Sequence, residues 1–174
     1  LCCAVKRLRG EDSRFSMIPI FLPKPMVEKW YDIYCLKVLW PTFHYMEVNV
    51  SQALSDQSCF RAYAEANAAY AAAVRTEWKS SDLLWVINYE LLLVPQQLRR
   101  RIRDVRVGLF VHCPWPSTEI FRSVPNTTEL LEGMLGADIV GFHNFSYSRH
   151  FLSSCMRVLG VDASIDSVEY KKHT

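Results

Sequence analysis

A chain of 174 residues can hold one domain with a substantial core but not two sizeable ones, and its 50% hydrophobic and 22% charged residues are typical of a globular protein. A formal net charge of +2 gives no electrostatic support for nucleic-acid binding, and no apolar run approaches the roughly 18 residues of a membrane span. The six cysteines lack a paired C-x-x-C spacing and fall mostly in apolar segments, which favours reduced thiols in a cytoplasmic protein over disulfides or zinc.

The first third of the chain predicts one short strand and one helix. Residues 17–22 are apolar and predict the strand, and apolar side chains at three- and four-residue spacing predict the helix over residues 25–39. This helix is expected to stop just before Pro41, because the residue that precedes a proline disfavours the α conformation. Residues 42–46 then predict an irregular aromatic loop, and residues 51–58 a polar linker.

The middle third predicts strands that alternate with helices. An alanine-rich run gives high helix propensity to residues 59–79. The apolar run 83–87 predicts a buried strand, and the helix expected over residues 90–102 has Pro95 near its first turn, where proline does least damage. The apolar run 106–111 predicts a second strand.

The last third predicts one more strand and the helices around it. Residues 126–129 have the spacing of a capping box, which predicts the start of a short helix. Residues 139–142 predict the third strand, and residues 146–159 a helix that Gly160 ends in a left-handed conformation. The polar tail, residues 162–174, is expected either to be frayed or to be the start of a continuation that lies outside this sequence.

Polar side chains follow the apolar strands. Asn88 and Glu90 come after the first of the three, His112 after the second and His143 after the third. Apolar strands separated by helices predict a parallel sheet, and ligands of open parallel sheets bind outside the carboxyl ends of the strands. We therefore expect these four side chains to line one crevice.

The chemistry of that crevice is left open by the residues alone. Glu90, His112 and His143 could supply three metal ligands, although a histidine at a strand tip serves more often as a hydrogen-bond donor to substrate or backbone. The sequence contains no Gly-x-Ser-x-Gly elbow, P-loop or Gly-x-Gly-x-x-Gly motif. Aromatic rings mixed with hydrogen-bonding groups suit a polar, ring-shaped ligand such as a sugar.

One basic cluster lies where a helix should end, and it consists of Arg99, Arg100, Arg101 and Arg103. Cations at a helix carboxyl end interact favourably with the helix dipole, so we interpret the cluster as a solvated helix end. A patch for a phosphate or a partner is the alternative.

Four segments carry a resemblance to a known family, and they occur in that family's order. They are Leu39–Tyr45, Asn88–Leu92, Gly108–Arg122 and Asp138–Leu152. On these motifs, which span most of residues 18–162, the sequence resembles the trehalose-6-phosphate synthase family, whose members transfer glucose from UDP-glucose to glucose 6-phosphate.

The resemblance implies roles for individual residues. The family's tyrosine and tryptophan that match Tyr31 and Trp40 contact the phosphate of the acceptor, and the histidine that matches His112, the implied catalytic residue, contacts the transferred glucose. The family's His-Asp-Tyr-His motif is changed, because Asn88 replaces the aspartate that holds acceptor hydroxyls and Glu90 replaces the second histidine. Asn88 lacks the negative charge that strengthens hydrogen bonds to the acceptor hydroxyls, and the Glu90 carboxylate repels the acceptor's phosphate. Both changes are expected to weaken binding of an anionic phosphosugar.

The resemblance also implies a fold and a function. The fold is a Rossmann-like parallel sheet with flanking helices, making residues 1–174 a single partial N-terminal, acceptor-side domain of a GT-B glycosyltransferase. The nucleotide-sugar domain would lie outside this chain, which starts without methionine and which we interpret as an inactive fragment. UDP-glucose is a substrate, and no cofactor or metal is expected. The alternative is a non-catalytic regulatory subunit that binds sugar phosphate, or that joins synthase or phosphatase subunits.

Overall fold

The computed structural model describes residues 18–47 and 57–170, and its centre is a parallel three-stranded sheet. The strands are β1 (Leu83–Ile87), β2 (Arg106–Val111) and β3 (Ile139–Phe142), in the order β1-β2-β3. In register, Ile87 pairs with Phe110 and Val111 with Phe142. The predicted parallel α/β sheet is therefore confirmed, with each of its three strands at the predicted position.

The helices are bounded as follows. Helix α1 is continuous through three parts, which are Lys24–Val27, a π-helix Glu28–Leu39, and Trp40–Phe43. Helix α2 is Gln57–Glu77, and a 3-10 turn, Tyr89–Leu91, precedes helix α3, Val94–Arg99. Helix α4 is Thr118–Phe121, helix α5 is Thr127–Met134, and helix α6 is Phe145–Ser154 with a π-helical extension, Cys155–Leu159. A short antiparallel pair, β4 (Asp162–Ala163) and β5 (Val168–Glu169), follows α6.

One face of the sheet supplies the core, and the other is apolar but exposed, so the prediction of a buried strand at 83–87 is wrong for its outer face, where Leu83, Trp85 and Ile87 are exposed. Val86, Val107 and Leu109 are buried on the first face. On the second face the Trp85 ring lies over Gly108, where an added Cβ would stand 2.3 Å from the indole, and Phe110 covers Gly141 in the same way at 2.7 Å. The two glycines thus let aromatic rings lie flat across neighbouring strands.

Helix α1 corrects two of the predictions. Residues 18–22 form no strand, and Met17 lies outside the described residues. The helix does not stop before Pro41 but continues to Phe43, so the predicted irregular loop begins two residues late. A proline lacks the N–H that would bond one turn back, and the residues one turn before Pro41, Leu36 and Lys37, are exposed, so water can solvate a carbonyl that has no protein donor there. Burial of Phe43 offsets the cost of the pre-proline conformation.

Most of the remaining predictions for the helices are confirmed, and those for the Asn126 cap and the tail are corrected. The alanine-rich helix is confirmed as α2, residues 57–58 belong to it, and the rest of the predicted linker lies outside the described residues. Helix α5 starts as predicted, but Asn126 has a left-handed φ of 62° and donates to Glu129 Oε1 at 3.0 Å rather than capping a backbone N–H. Gly160 ends α6 with a φ of 65°, as predicted. The tail is not frayed over residues 162–170, because β4 and β5 pair there.

Cysteines and membrane-spanning potential were also predicted from composition. The cysteines that the structure describes, at positions 35, 59, 113 and 155, are buried free thiols, which confirms the reduced state for these four. Within residues 18–47 and 57–170, no helix combines the length and the hydropathy that a membrane span requires.

Arg99 is a structural clamp, so the interpretation of the basic cluster as a solvated helix end is wrong for this residue. Its Nε donates to the carbonyl of Gly136 at 3.2 Å, its Nη1 to that of Val105 at 2.8 Å, and its Nη2 to Asp138 Oδ1 at 2.7 Å. Asp138 Oδ2 in turn accepts from the N–H of Val107 at 2.7 Å. The clamp joins the end of α3 to the starts of β2 and β3, while the other three arginines are exposed.

We expect Arg99→Ala to lower the free energy of unfolding by about 2 kcal/mol, because three carbonyl and carboxylate acceptors lose a charged donor at a partly exposed site. Urea-induced unfolding measures the change. Arg103→Ala is the control, since Arg103 is exposed at the same helix end and should change stability by less than about 0.5 kcal/mol. Equal effects of the two substitutions would show that the clamp contributes nothing.

Candidate functional site

Three side chains meet where β1, β2 and β3 end. Asn88, His112 and His143 each follow the last residue of a strand. The N–H of His112 donates to Asn88 Oδ1 at 3.2 Å, and His112 Nδ1 lies 3.0 Å from His143 Nε2. The structure therefore brings Asn88, His112 and His143 of the predicted crevice into one hydrogen-bonded row.

Asn88 has a backbone conformation that only glycine adopts easily. Its φ is 73° and its ψ 175°, a combination that costs a residue with a side chain roughly 1–3 kcal/mol. The conformation is maintained by its N–H, which donates to the carbonyl of Phe110 at 2.7 Å, and by its side chain, which accepts from His112. Strain of this kind, held by bonds on both sides, is a feature of functional sites.

The π-helical part of α1 determines where Tyr31 and Trp40 lie. Trp40 follows Tyr31 by nine positions, which in an α-helix make about two and a half turns and would put the two side chains on opposite faces. The bonds here reach five residues back, as the Trp40 N–H does to the Cys35 carbonyl, so each turn takes more than four residues. Nine positions then make about two turns, and the two rings lie on the same face.

The rings of Trp40, His44 and Tyr89, which we call the aromatic wall, connect that face of α1 to the carboxyl ends of the strands. The rings of Trp40 and Tyr89 have centroids 5.9 Å apart, and His44 stacks on Trp40 at 3.8 Å with its Nδ1 2.8 Å from the Trp40 carbonyl. Tyr31 packs edge-on against Trp30, with ring centroids 6.0 Å apart, and Trp30 Nε1 donates to the Glu90 carbonyl at 3.3 Å. Since Tyr89 directly follows Asn88, the structure places Tyr31 and Trp40 beside the row of strand-tip side chains.

Glu90 turns towards the aromatic wall rather than towards the histidines. Its Oε1 lies 3.5 Å from Asn88 Nδ2, at the limit of a hydrogen bond. Burial raises the pKa of the Glu90 carboxyl, and hydrogen bonds from its own backbone N–H and from the side chains of Tyr89 and Asn88 oppose that rise. Glu90 therefore contributes a partly desolvated acidic group to the site.

We expect Glu90→Gln to stabilise the fold at neutral pH. A carboxyl whose pKa is higher in the folded state holds its proton better when folded, so stability falls as pH rises from the unfolded value near 4.5 through the raised folded value. Glutamine removes this penalty, and its advantage should disappear below about pH 4.5. Urea unfolding across pH tests this, with Glu65→Gln on the exposed face of α2 as the control; an advantage independent of pH would contradict it.

The three-ligand metal site that the sequence left open is not formed. The two histidines contact each other, whereas the Glu90 carboxylate lies on the side of Tyr89 and Asn88. Across the part of the chain that the structure describes, no group of three His, Cys, Asp or Glu side chains is arranged to hold a metal ion.

Two residues that hold the site were missed from the sequence. Tyr63 and Asn67 on α2 are fully buried; the Tyr63 hydroxyl donates to the Tyr89 carbonyl at 2.8 Å, and Asn67 Nδ2 to the Glu90 carbonyl at 3.0 Å. Trp30 Nε1 reaches the same Glu90 carbonyl at 3.3 Å. The available signal was two large polar residues four apart in an alanine-rich helix, which puts them on one face.

An open parallel α/β sheet with its polar side chains gathered beyond the carboxyl ends of the strands defines a Rossmann-like ligand-binding domain. The chain belongs to glycosyltransferase family 20, whose model matches residues 5–174. The family resemblance is confirmed, and so is the predicted fold, a Rossmann-like parallel sheet with flanking helices of the GT-B type.

Named relatives agree with this assignment. The chain is 39% identical over 170 residues to alpha,alpha-trehalose-phosphate synthase [UDP-forming] 1 of Aspergillus fumigatus, and 40% identical over 165 residues to the 56 kDa subunit of the Saccharomyces cerevisiae synthase. These alignments cover 95% and 91% of this chain but 32% of each relative, so the chain spans about a third of their length.

Two solved structures are similar in fold. The N-terminal domain of Candida albicans trehalose-6-phosphate phosphatase superposes with a TM-score of 0.83 at 38% identity, over 89% of this chain and 32% of that one. A UDP-forming synthase of Burkholderia xenovorans gives a TM-score of 0.76 at 29% identity, over 82% of this chain and 31% of that one.

Proposed function

We propose that the intact protein transfers glucose from UDP-glucose to glucose 6-phosphate, forming trehalose 6-phosphate with the anomeric configuration retained. The observation that carries the proposal is the joining of Asn88 and His112 at adjacent strand tips, beside the face of α1 that presents Tyr31 and Trp40. Relatives at 38–40% identity over most of this chain are named as synthases of this kind.

Different residues contact the two substrates. Tyr31 and Trp40 contact the phosphate of the acceptor, Asn88 holds acceptor hydroxyls, and His112 contacts the glucose being transferred. No metal or cofactor takes part. The leaving diphosphate is bound by a second Rossmann-like domain, and because stabilisation of such charge is usually the largest catalytic contribution, residues 1–174 alone do not turn over. The protein acts in the cytoplasm.

A second function is favoured by Asn88 and Glu90. The amide lacks the charge that would strengthen bonds to hydroxyls, and the Glu90 carboxyl repels an anionic sugar phosphate. One similar structure is the N-terminal domain of a protein named as a phosphatase. In this alternative the protein is a non-catalytic subunit that binds sugar phosphate weakly or joins synthase or phosphatase subunits.

The test is an assay of the intact protein with UDP-glucose and glucose 6-phosphate, followed by release of UDP and formation of trehalose 6-phosphate. Turnover that His112→Ala abolishes without a change in melting temperature supports the synthase, and Arg103→Ala should leave turnover unchanged. Absence of turnover in the unaltered protein overturns the synthase and leaves the regulatory subunit.

A further inference from the structure

His143 occupies the position beside His112 because the sheet puts it there. Val111 and Phe142 are the last paired residues of β2 and β3, and the two histidines are the next residues of the two chains. In paired parallel strands, the residues that directly follow a paired couple point to the same side of the sheet and lie next to each other. The contact is therefore a product of the most regular part of the fold and not of a loop.

A hydrogen bond between two neutral imidazoles fixes both tautomers. His112 Nδ1 and His143 Nε2 lie 3.0 Å apart, and only one of the two nitrogens can carry the proton. If His143 donates, both rings hold their proton at Nε2; if His112 donates, both hold it at Nδ1. The Nε2–H form is the more stable tautomer of a free histidine side chain, so the first arrangement has the lower energy.

Phe110 limits the movement of both rings. Its ring centroid is 4.8 Å from that of His112 and 5.1 Å from that of His143. Phe110 lies in turn against Gly141, where a Cβ would stand 2.7 Å from its ring. The two imidazoles thus lie against a ring that is itself positioned by β3, which is the preorganisation that orienting contacts need.

We propose that His143 is a positioning residue for His112. By donating from Nε2 to Nδ1 of His112, it fixes the His112 ring and leaves the proton of His112 on Nε2, as a donor to a hydroxyl oxygen of the transferred sugar. This inference rests on the proposed function for the identity of the ligand, but the tautomer it assigns is a property of the protein alone.

The first test needs no activity. The intact protein labelled with ¹⁵N-histidine gives the tautomer of each ring in long-range ¹H–¹⁵N spectra at alkaline pH, and His112→Asn identifies the His112 signals. We expect the Nε2–H form at His112 in the unaltered protein and in His143→Gln, whose amide can donate in the same way, and a mixture in His143→Phe, which keeps a ring but no donor. A His112 tautomer unchanged in His143→Phe overturns the inference.

The second test is kinetic. For His143→Phe we expect kcat/KM for UDP-glucose to fall roughly 10- to 100-fold with the KM for glucose 6-phosphate unchanged, and for His143→Gln a fall of no more than about threefold. Equal losses in the two variants overturn a role through donation. If the unaltered protein shows no turnover, the proposed function fails, and the spectra still decide the role of His143.

Discussion

We expect the double variant Asn88→Asp, Glu90→His to bind glucose 6-phosphate roughly tenfold to a hundredfold more tightly than the unaltered intact protein. A carboxylate at position 88 accepts from sugar hydroxyls through charge-assisted bonds, which are about twice as strong as neutral ones, and it can keep the bond from the His112 N–H. The histidine removes a half-buried acidic group from the pocket of an anionic ligand. Calorimetry on both proteins measures the difference, and turnover with UDP-glucose should rise with it.

The two single variants are the controls, and their changes in binding free energy should not sum to the change in the double variant. Asn88→Asp alone places a second carboxylate about 3.5 Å from Glu90 and removes the amide that donates to it, so we expect weaker binding than in the unaltered protein. Glu90→His alone should give a modest gain. Tighter binding by Asn88→Asp alone would contradict the coupling, and submicromolar binding by the unaltered chain would contradict the premise that its pocket is weak.

The sheet and its row of strand-tip residues were predictable because the signals are local. Apolar runs such as 106–111 identify buried strands, and the carboxyl ends of parallel strands meet at one edge whatever the details of packing. Asn88, His112 and His143 were therefore placed together from the sequence. The departure of Asn88 and Glu90 from the family motif was visible in the sequence as well, but the direction of the Glu90 side chain was not.

Features that depend on tertiary packing were not predictable. The π-helical turns of α1 have no local signal in the sequence, and the passage of the helix through Pro41 accompanies burial of Phe43 in the core, which outweighs the local preference before a proline. The strained φ of Asn88 follows from bonds to Phe110 and His112 on another strand. At both places a long-range contact overrides the local rule, and both places adjoin the candidate site.

Trp115 anchors the segment that follows His112 in the core, and we expect Trp115→Ala to lower the free energy of unfolding by about 3–5 kcal/mol. Its indole is fully buried, and its carbonyl lies 3.1 Å from His150 Nδ1. It touches rings from four other parts of the chain, with centroids between 4.7 and 5.9 Å away: Phe43, Phe121, Phe142 and Phe151. Urea unfolding measures the loss.

Trp85→Ala is the matched control, because that indole is 53% exposed on the open face of the sheet and its removal leaves no internal cavity. We expect it to cost about 1 kcal/mol or less. Trp115 lies three residues after His112 in the segment that follows β2, so its loss should also disorder the His112 ring, and the His112–His143 contact should weaken in the ¹⁵N-histidine spectra of Trp115→Ala but persist in Trp85→Ala. A Trp115→Ala protein as stable as Trp85→Ala would mean that the segment is held by the two prolines that flank the indole, Pro114 and Pro116, rather than by the indole itself.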